Sequence, residues 1–275
     1  MPEFDLTIFT IATNKYFKYF ELQINQLVKH VGQHQRTQIV VATNMRTPGS
    51  ERRGNLSIDY VSVDDFKWPE ITLLRYHQML QNSHNFKGSW LMWLDTDMEI
   101  IRDIKVNELS ERGTLLFAKH PAFIFDTERF WTLTLVNKAR AAWPWLTGYF
   151  KGQLHAGTWE ERRVSTAYVK RHLRKVYVHG AVWMGTREKI LTMAETLAGR
   201  INDDLSHGIV AAWHDESHLN WYSANVHESR YLPEQFSGWK DAWQYSQNDV
   251  YMHSLDKKEL DLEIAKGMND YLRNT

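Results

Sequence analysis

The sequence predicts an α/β protein with a mainly parallel central sheet flanked by helices, and three observations carry that prediction. Apolar, β-branched runs of strand length recur through the first third of the chain. Segments with helical spacing separate them, the order expected of strand–helix–strand units. A pair of aspartates stands directly after one apolar run, and open α/β sheets gather their ligands at the carboxyl ends of their strands.

Residues 6–12 are β-branched and apolar, in the manner of a buried parallel strand. Phe17, Phe20, Ile24, Leu27, Val28 and Val31 then fall three and four apart, the stripe of an amphipathic helix. Residues 38–43 (QIVVAT) form the next strand, 44–55 a polar loop with Pro48, Gly49 and Gly54, and 57–63 a third strand. Helical spacing returns over 71–81, and 90–94 (WLMWL) is again a strand. Residues 114–118 and 176–183 are strands of the second half. Residues 186–198 form a helix, with Thr186 as N-cap and Gly199 just past its end. Residues 123–159 are aromatic-rich without a clean period, and the tail 255–275 is charged with helical spacing. No repeat or linker divides the chain, so one domain is expected.

Composition narrows the chemistry. The chain has 275 residues, 33 basic and 33 acidic, so no global field points to nucleic acid or anionic lipid. Cysteine is absent, so any metal is held by carboxylate or imidazole. The amino-terminal residues lack the basic start and apolar run of a secretion signal, and no run is long and apolar enough to span a membrane. These features predict a soluble, cytoplasmic protein. Twelve Trp, twelve Tyr and twelve Phe tilt the reading towards sugar stacking, although core packing explains most of them.

Two clusters carry chemistry. Asp95-Thr96-Asp97 follows the WLMWL strand, and two carboxylates one residue apart can face one hard cation such as Mn²⁺ or Mg²⁺. Such a cation would screen a diphosphate leaving group. A plain strand-end turn is the competing reading. The second cluster is His214-Asp215-Glu216-Ser217-His218-Leu219-Asn220. Asp215 as a helix cap would set Glu216 in the first turn, where the helix dipole favours its charged form. Here the competing reading is a capped, solvated helix start. His214 and His218, four apart, also mimic a zinc-protease helix, but Asp215 occupies the position that motif gives to Glu. A zinc hydrolase and a non-catalytic glycan-binding protein are therefore the alternatives. Two further signals are softer. His179-Gly180-Ala181 leaves room for a sugar ring or for a helix packed closely on the sheet. Arg75 is placed to reach a phosphate, against the default of a solvated surface arginine.

Taken together, these segments resemble glycosyltransferase family 6, which includes the histo-blood-group A and B transferases and the α-1,3-galactosyltransferases. Residues 212–220 (AWHDESHLN) look like the family signature, and Asp95-Thr96-Asp97-Met98-Glu99 looks like its metal motif. Thr72-Leu73-Leu74-Arg75-Tyr76 resembles the helix with the donor-contacting arginine, and residues 11–16 (IATNKY) the uridine-binding opening. His120-Pro121, Glu161-Arg162-Arg163, Ala167-Tyr168 and Gly208-Ile209 match as well.

The resemblance implies a GT-A fold and a retaining transfer from UDP-galactose or UDP-N-acetylgalactosamine to a glycan acceptor. By position it makes Glu216 the nucleophile or ion-pair stabiliser, and Asp95 and Asp97 the ligands of Mn²⁺ (or Mg²⁺). Ile11, Ala12, Thr13, Tyr16, Arg75, Asp95, Thr96, Asp97, His179, Gly180, Ala181 and Asp215 would contact the donor. His120, Trp213, His214 and, again, Asp215 would contact the acceptor. A carboxylate on the sugar face agrees with how retaining glycosidases work. His179-Gly180-Ala181 is similar to galactose-specific members, and His120-Pro121 to members that use fucosylated acceptors. Many bacterial relatives carry Asn-x-Asn and work without metal; this chain keeps both aspartates, which predicts metal dependence. About 25 to 30 residues are inserted between His120 and Glu161, too many for an ordinary loop. That segment, about 123–160, carries Trp143, Trp145 and Trp159 and is expected to rebuild the acceptor site. The expected catalytic domain is 1–254, with 255–275 as a tail whose Lys257, Lys258 and Arg273 fold over the diphosphate as a lid.

Overall fold

A computed structural model describes residues 2–66, 69–123, 135–136, 138–139, 142–143, 146, 157–239, 250–258 and 261. In chain order the strands are β1 (Phe4–Ile11), β2 (Thr37–Thr43), β3 (Ser50–Arg53), β4 (Leu56–Ser62), β5 (Gly88–Leu94), β6 (Met98–Ile100), β7 (Leu115–Lys119), β8 (Val178–Thr186), β9 (Arg230–Tyr231), β10 (Gly238–Trp239) and β11 (Met252–Ser254). The helices used below are α1 (Lys15–Leu27), α2 (Glu70–Leu73), α3 (Arg75–Gln81), α4 (Val106–Ser110), α5 (Arg187–Ser206) and α6 (His214–Asn225).

Eight strands form the main sheet in the order β3-β4-β2-β1-β5-β8-β7-β9, and β10-β11-β6 form a smaller one. Neighbours β4, β2, β1 and β5 run parallel, as the alternation of apolar runs and helical segments predicts. β8 enters antiparallel to both β5 and β7. The α/β class is therefore as expected, and the architecture is compatible with a GT-A fold. The pleat divides β1 between two cores. Leu6 and Ile8 pack on one face with Phe20, Ile24 and Leu27, and Phe9 on the other with Tyr76, Trp93 and Trp183. Gln38 is polar yet fully buried in the centre of the sheet. It is satisfied throughout: Nε2 donates to Asp59 Oδ2 (2.7 Å) and Asn85 O (2.9 Å), while Oε1 accepts from Thr7 Oγ1 (2.8 Å) and Lys87 N (2.9 Å).

Four local expectations change. The loop 44–55 contains β3, which pairs antiparallel with β4. The helix over 71–81 breaks at Leu74 (φ −88°, ψ 5°), so Arg75 starts a new helix and turns inward. The helix after Thr186 does start there, with Thr186 Oγ1 accepting from Lys189 N, but Gly199 does not stop it. Ile201 and Asp204 are buried, which keeps the helix packed as far as Ser206. Gly208, at φ +69°, supplies the left-handed turn: Ile209 N bonds to Asp204 O and Gly208 N to Leu205 O, a Schellman ending. Lastly, α6 begins two residues early. Trp213 is its cap residue, so Asp215 lies inside the first turn with Glu216 and does not cap it.

Among the described residues no helix is long and apolar enough to cross a membrane. Most of the expected 123–160 insertion, Trp145 included, and most of the tail, Arg273 included, lie outside the described residues.

Candidate active site

The carboxyl ends of β1 and β5 open onto a cavity of about 450 Å³. Ile11, Thr13 and Tyr16 line it from the β1–α1 turn, Thr72 and Arg75 from the broken helix, and Asp95, Thr96 and Asp97 from the turn after β5. Seven of the expected donor-binding residues are thus brought together. Ala12 is not among them: it is fully buried, and its backbone bonds to Ala42 O and Thr43 Oγ1. Asn14, at the turn, has φ +51°, and its side-chain amide donates to Asp65 Oδ1 at 2.6 Å.

Asp95 and Asp97 do not sit like an ordinary solvated turn. Burial pushes both carboxyls up, and the neighbouring aspartate adds to the rise for Asp95. Arg75 opposes the rise at Asp95, and Lys257 opposes it at Asp97. Trp93 Nε1 donates to Asp95 Oδ1 at 2.8 Å. Lys257 Nζ lies 3.7 Å from Asp97 Oδ2 and 3.2 Å from Tyr16 Oη, so the start of the tail reaches the cavity. Two repelling, partly dehydrated carboxylates with only oxygen donors fit a hard divalent cation, which would relieve the repulsion.

Arg75 joins this half to the next. It is buried (7 % exposed), against the default of a solvated arginine. Its guanidinium stacks over Trp93 (4.4 Å), and Nη1 donates to Gly180 O at 2.8 Å. Nη1 is also 3.8 Å from Asp95 Oδ1. Nε lies 2.8 Å from Asp215 Oδ2, an ion contact not aligned as a hydrogen bond. One cation therefore ties the D-x-D turn to α6, two segments 120 positions apart in the chain.

On the far side of Arg75, Glu216 leaves the first turn of α6 and lies against β8. Gly180 N donates to Oε2 (2.8 Å) and Tyr177 Oη to Oε1 (2.9 Å). Burial pushes this carboxyl up to about 7, and those two donors oppose the rise. Gly180 eases the approach, since a Cβ there would stand 3.0 Å from Oε2 and press on the carboxylate. Glu216 of α6 thus packs closely on Gly180 of β8, a contact that the close-packing reading of His179-Gly180-Ala181 expects. His179 Nδ1 is 2.8 Å from Ser237 Oγ, and burial holds its imidazole down at about 4. His120 packs edge-on to it at 4.8 Å and is pushed well below the usual range by burial and by His179. The ligand atoms of His120, His179 and Glu216 lie within 4.8 Å of one another, a second group able to hold a metal ion. Trp213 is exposed, and His214 takes φ +47° at the start of α6. His218 instead faces buried Asp204, 3.6 Å away. Among the described residues, therefore, His214 and His218 do not converge with a third metal ligand. Tyr177 is the site residue that the motifs miss.

Residues 133–257 match the family model for glycosyltransferase family 6, a stretch that includes His179, Asp215, Glu216 and Lys257. The chain is also 23 % identical over 237 residues to globoside alpha-1,3-N-acetylgalactosaminyltransferase 1 of Gallus gallus, covering 84 % of this chain and 60 % of that protein. Together these similarities support glycosyltransferase family 6. Two other relatives extend the comparison. Histo-blood group ABO system transferase 1 of Rattus norvegicus is 32 % identical over 75 residues, 27 % of this chain and 22 % of the rat protein. O-antigen biosynthesis glycosyltransferase WbnI of Escherichia coli is 21 % identical over 219 residues, 79 % of this chain and 81 % of WbnI. The match thus spans about a fifth of the rat transferase and most of the bacterial one.

Proposed function

We propose that the protein is a retaining glycosyltransferase that moves galactose or N-acetylgalactosamine from a UDP donor, in α-1,3 linkage, onto a plain or fucosylated galactoside. The observation that carries this reading is the buried Arg75 that links Asp95 of the D-x-D turn to Asp215, the neighbour of Glu216. A diphosphate-binding half and a carboxylate for the sugar are thereby held as one rigid unit. Residues 1–254 are the catalytic domain in this reading, and the tail beyond them is a lid whose first lysine, Lys257, lies at Asp97 and Tyr16.

Asp95 and Asp97 would hold Mn²⁺ or Mg²⁺, which when bound screens the diphosphate and eases its departure. The remaining work falls to the chain's own groups. Tyr16, Thr13 and Ile11 line the donor cavity, and Lys257 adds a positive charge at its edge. Glu216 offers an ionised oxygen to the anomeric carbon as the bond to the diphosphate breaks, either forming a glycosyl ester or stabilising an ion pair. An acceptor hydroxyl then attacks from the face the diphosphate left, its proton leaving with the released UDP, and Glu216 returns to its carboxylate form. Neutral His120 and His179 leave the negative charge of Glu216 uncancelled, and His120 offers a hydrogen-bonding edge to an acceptor hydroxyl.

The test is Glu216→Gln, which keeps the shape and removes the charge. Transfer should fall by at least about a thousandfold, while UDP binding measured by calorimetry stays within a few-fold of the parent. A variant that transfers at the parental rate overturns the mechanism.

A further inference from the structure

Both oxygens of Glu216 are gripped, and the two grips differ in kind. The Gly180 N–H is fixed by the strand that carries it. The Tyr177 hydroxyl stands at the end of a side chain, so its position depends on what packs around the ring. That ring is 1 % exposed, with Trp159 edge-on at 5.1 Å, Phe123 edge-on at 5.1 Å and His120 at 5.7 Å. Thr158 O competes for the hydroxyl proton only at 3.5 Å, so Glu216 at 2.9 Å takes it. Phe123 and Trp159 stand at the two ends of the expected 123–160 insertion. Gly157 makes the contact possible, because a Cβ there would fall 2.6 Å from both Trp159 Nε1 and Tyr177 Cδ2.

We propose that Tyr177 is a positioning residue for Glu216, and that Phe123, Gly157 and Trp159 set its hydroxyl, so that the ends of the insertion are coupled to the reactive carboxylate through this one ring. The inference rests on the reading of Glu216 given above. Without the hydroxyl, Oε1 loses the donor that fixes its rotation and favours its charge. Fewer molecules then hold the carboxylate both ionised and aligned at a given pH. A side chain pressed against the ring from Gly157 acts the same way without removing the hydroxyl.

The experiment compares the kcat–pH profiles of the full chain, Tyr177→Phe and Gly157→Ala, with Mn²⁺, a UDP-sugar and a galactoside acceptor. Tyr177→Phe should lower kcat about tenfold or more, leave the donor KM unchanged, and move the acid limb to higher pH. Gly157→Ala should lower kcat less and move the limb in the same direction. Thermal melts of both variants identify any that fail to fold, in which case the other decides the question. An unmoved acid limb in the folded variants overturns the coupling, even where kcat falls. Glu216→Gln in the same assay separates the two layers. If it transfers normally, the reading of Glu216 fails; if it is dead while the Tyr177 variant keeps both rate and limb, only the present inference fails.

Discussion

On one side of Arg75, Asp95 and Asp97 face an open cavity where burial pushes both carboxyls up and Asp97 adds to the rise at Asp95, with Lys257 and Tyr16 across from them. On the other side, Glu216 is surrounded by neutral donors: a backbone N–H, a phenol and two imidazoles kept uncharged by burial. The donor half stores repulsion that a cation can relieve. In the proposed transfer, the other half holds one carboxylate that ionises with neutral donors at both of its oxygens. The contrast teaches how one buried arginine can serve two carboxylate sites of opposite need. It lies close enough to Asp95 to help hold its charge, yet it meets α6 through Asp215 and leaves Glu216 reactive.

The strongest way to break this comparison is to change the donor half alone. Asp97→Asn should cost about a hundredfold or more in kcat/KM with Mn²⁺, and the acid limb assigned to Glu216 should stay in place. A shifted limb would mean that the two halves are not separable. Next in size is the link itself. Arg75→Met leaves Asp215 buried and uncompensated, and urea unfolding should show a loss of about 3–5 kcal/mol. Transfer should fall with it, and Arg75→Lys should restore only part of each, because an ammonium cannot reach Gly180 O, Asp95 and Asp215 together. The smallest effect is expected at Lys257, half exposed at the cavity edge. Lys257→Ala should raise the donor KM about two- to fivefold, leave kcat nearly unchanged, and lose its effect at high salt.

Much of this arrangement is legible in the sequence where the signal is local. Period and β-branching mark β1, α1, β2 and β5, and the aspartate pair after an apolar strand marks the cavity. The density of chemical groups marks α6. What the sequence does not disclose depends on partners far along the chain. Nothing near Arg75 says that it will be buried, since its ion partners lie at Asp95 and Asp215. Tyr177 is one aromatic among many until the fold brings Glu216 to its hydroxyl, 39 residues on. Gly199 carries the standard signal for a helix end, but buried Ile201 and Asp204 override it and the stop falls at Gly208. In each case tertiary packing decides between local options that the sequence leaves level.

The most direct test of the account is UDP release from UDP-galactose and from UDP-N-acetylgalactosamine, each with Mn²⁺ and with EDTA, alongside plain and fucosylated galactosides. Release is expected to require the metal, to rise with one acceptor class, and to disappear in Glu216→Gln. Release from both donors that is indifferent to EDTA would contradict the role given to Asp95 and Asp97. No release from either donor would contradict the proposed transfer.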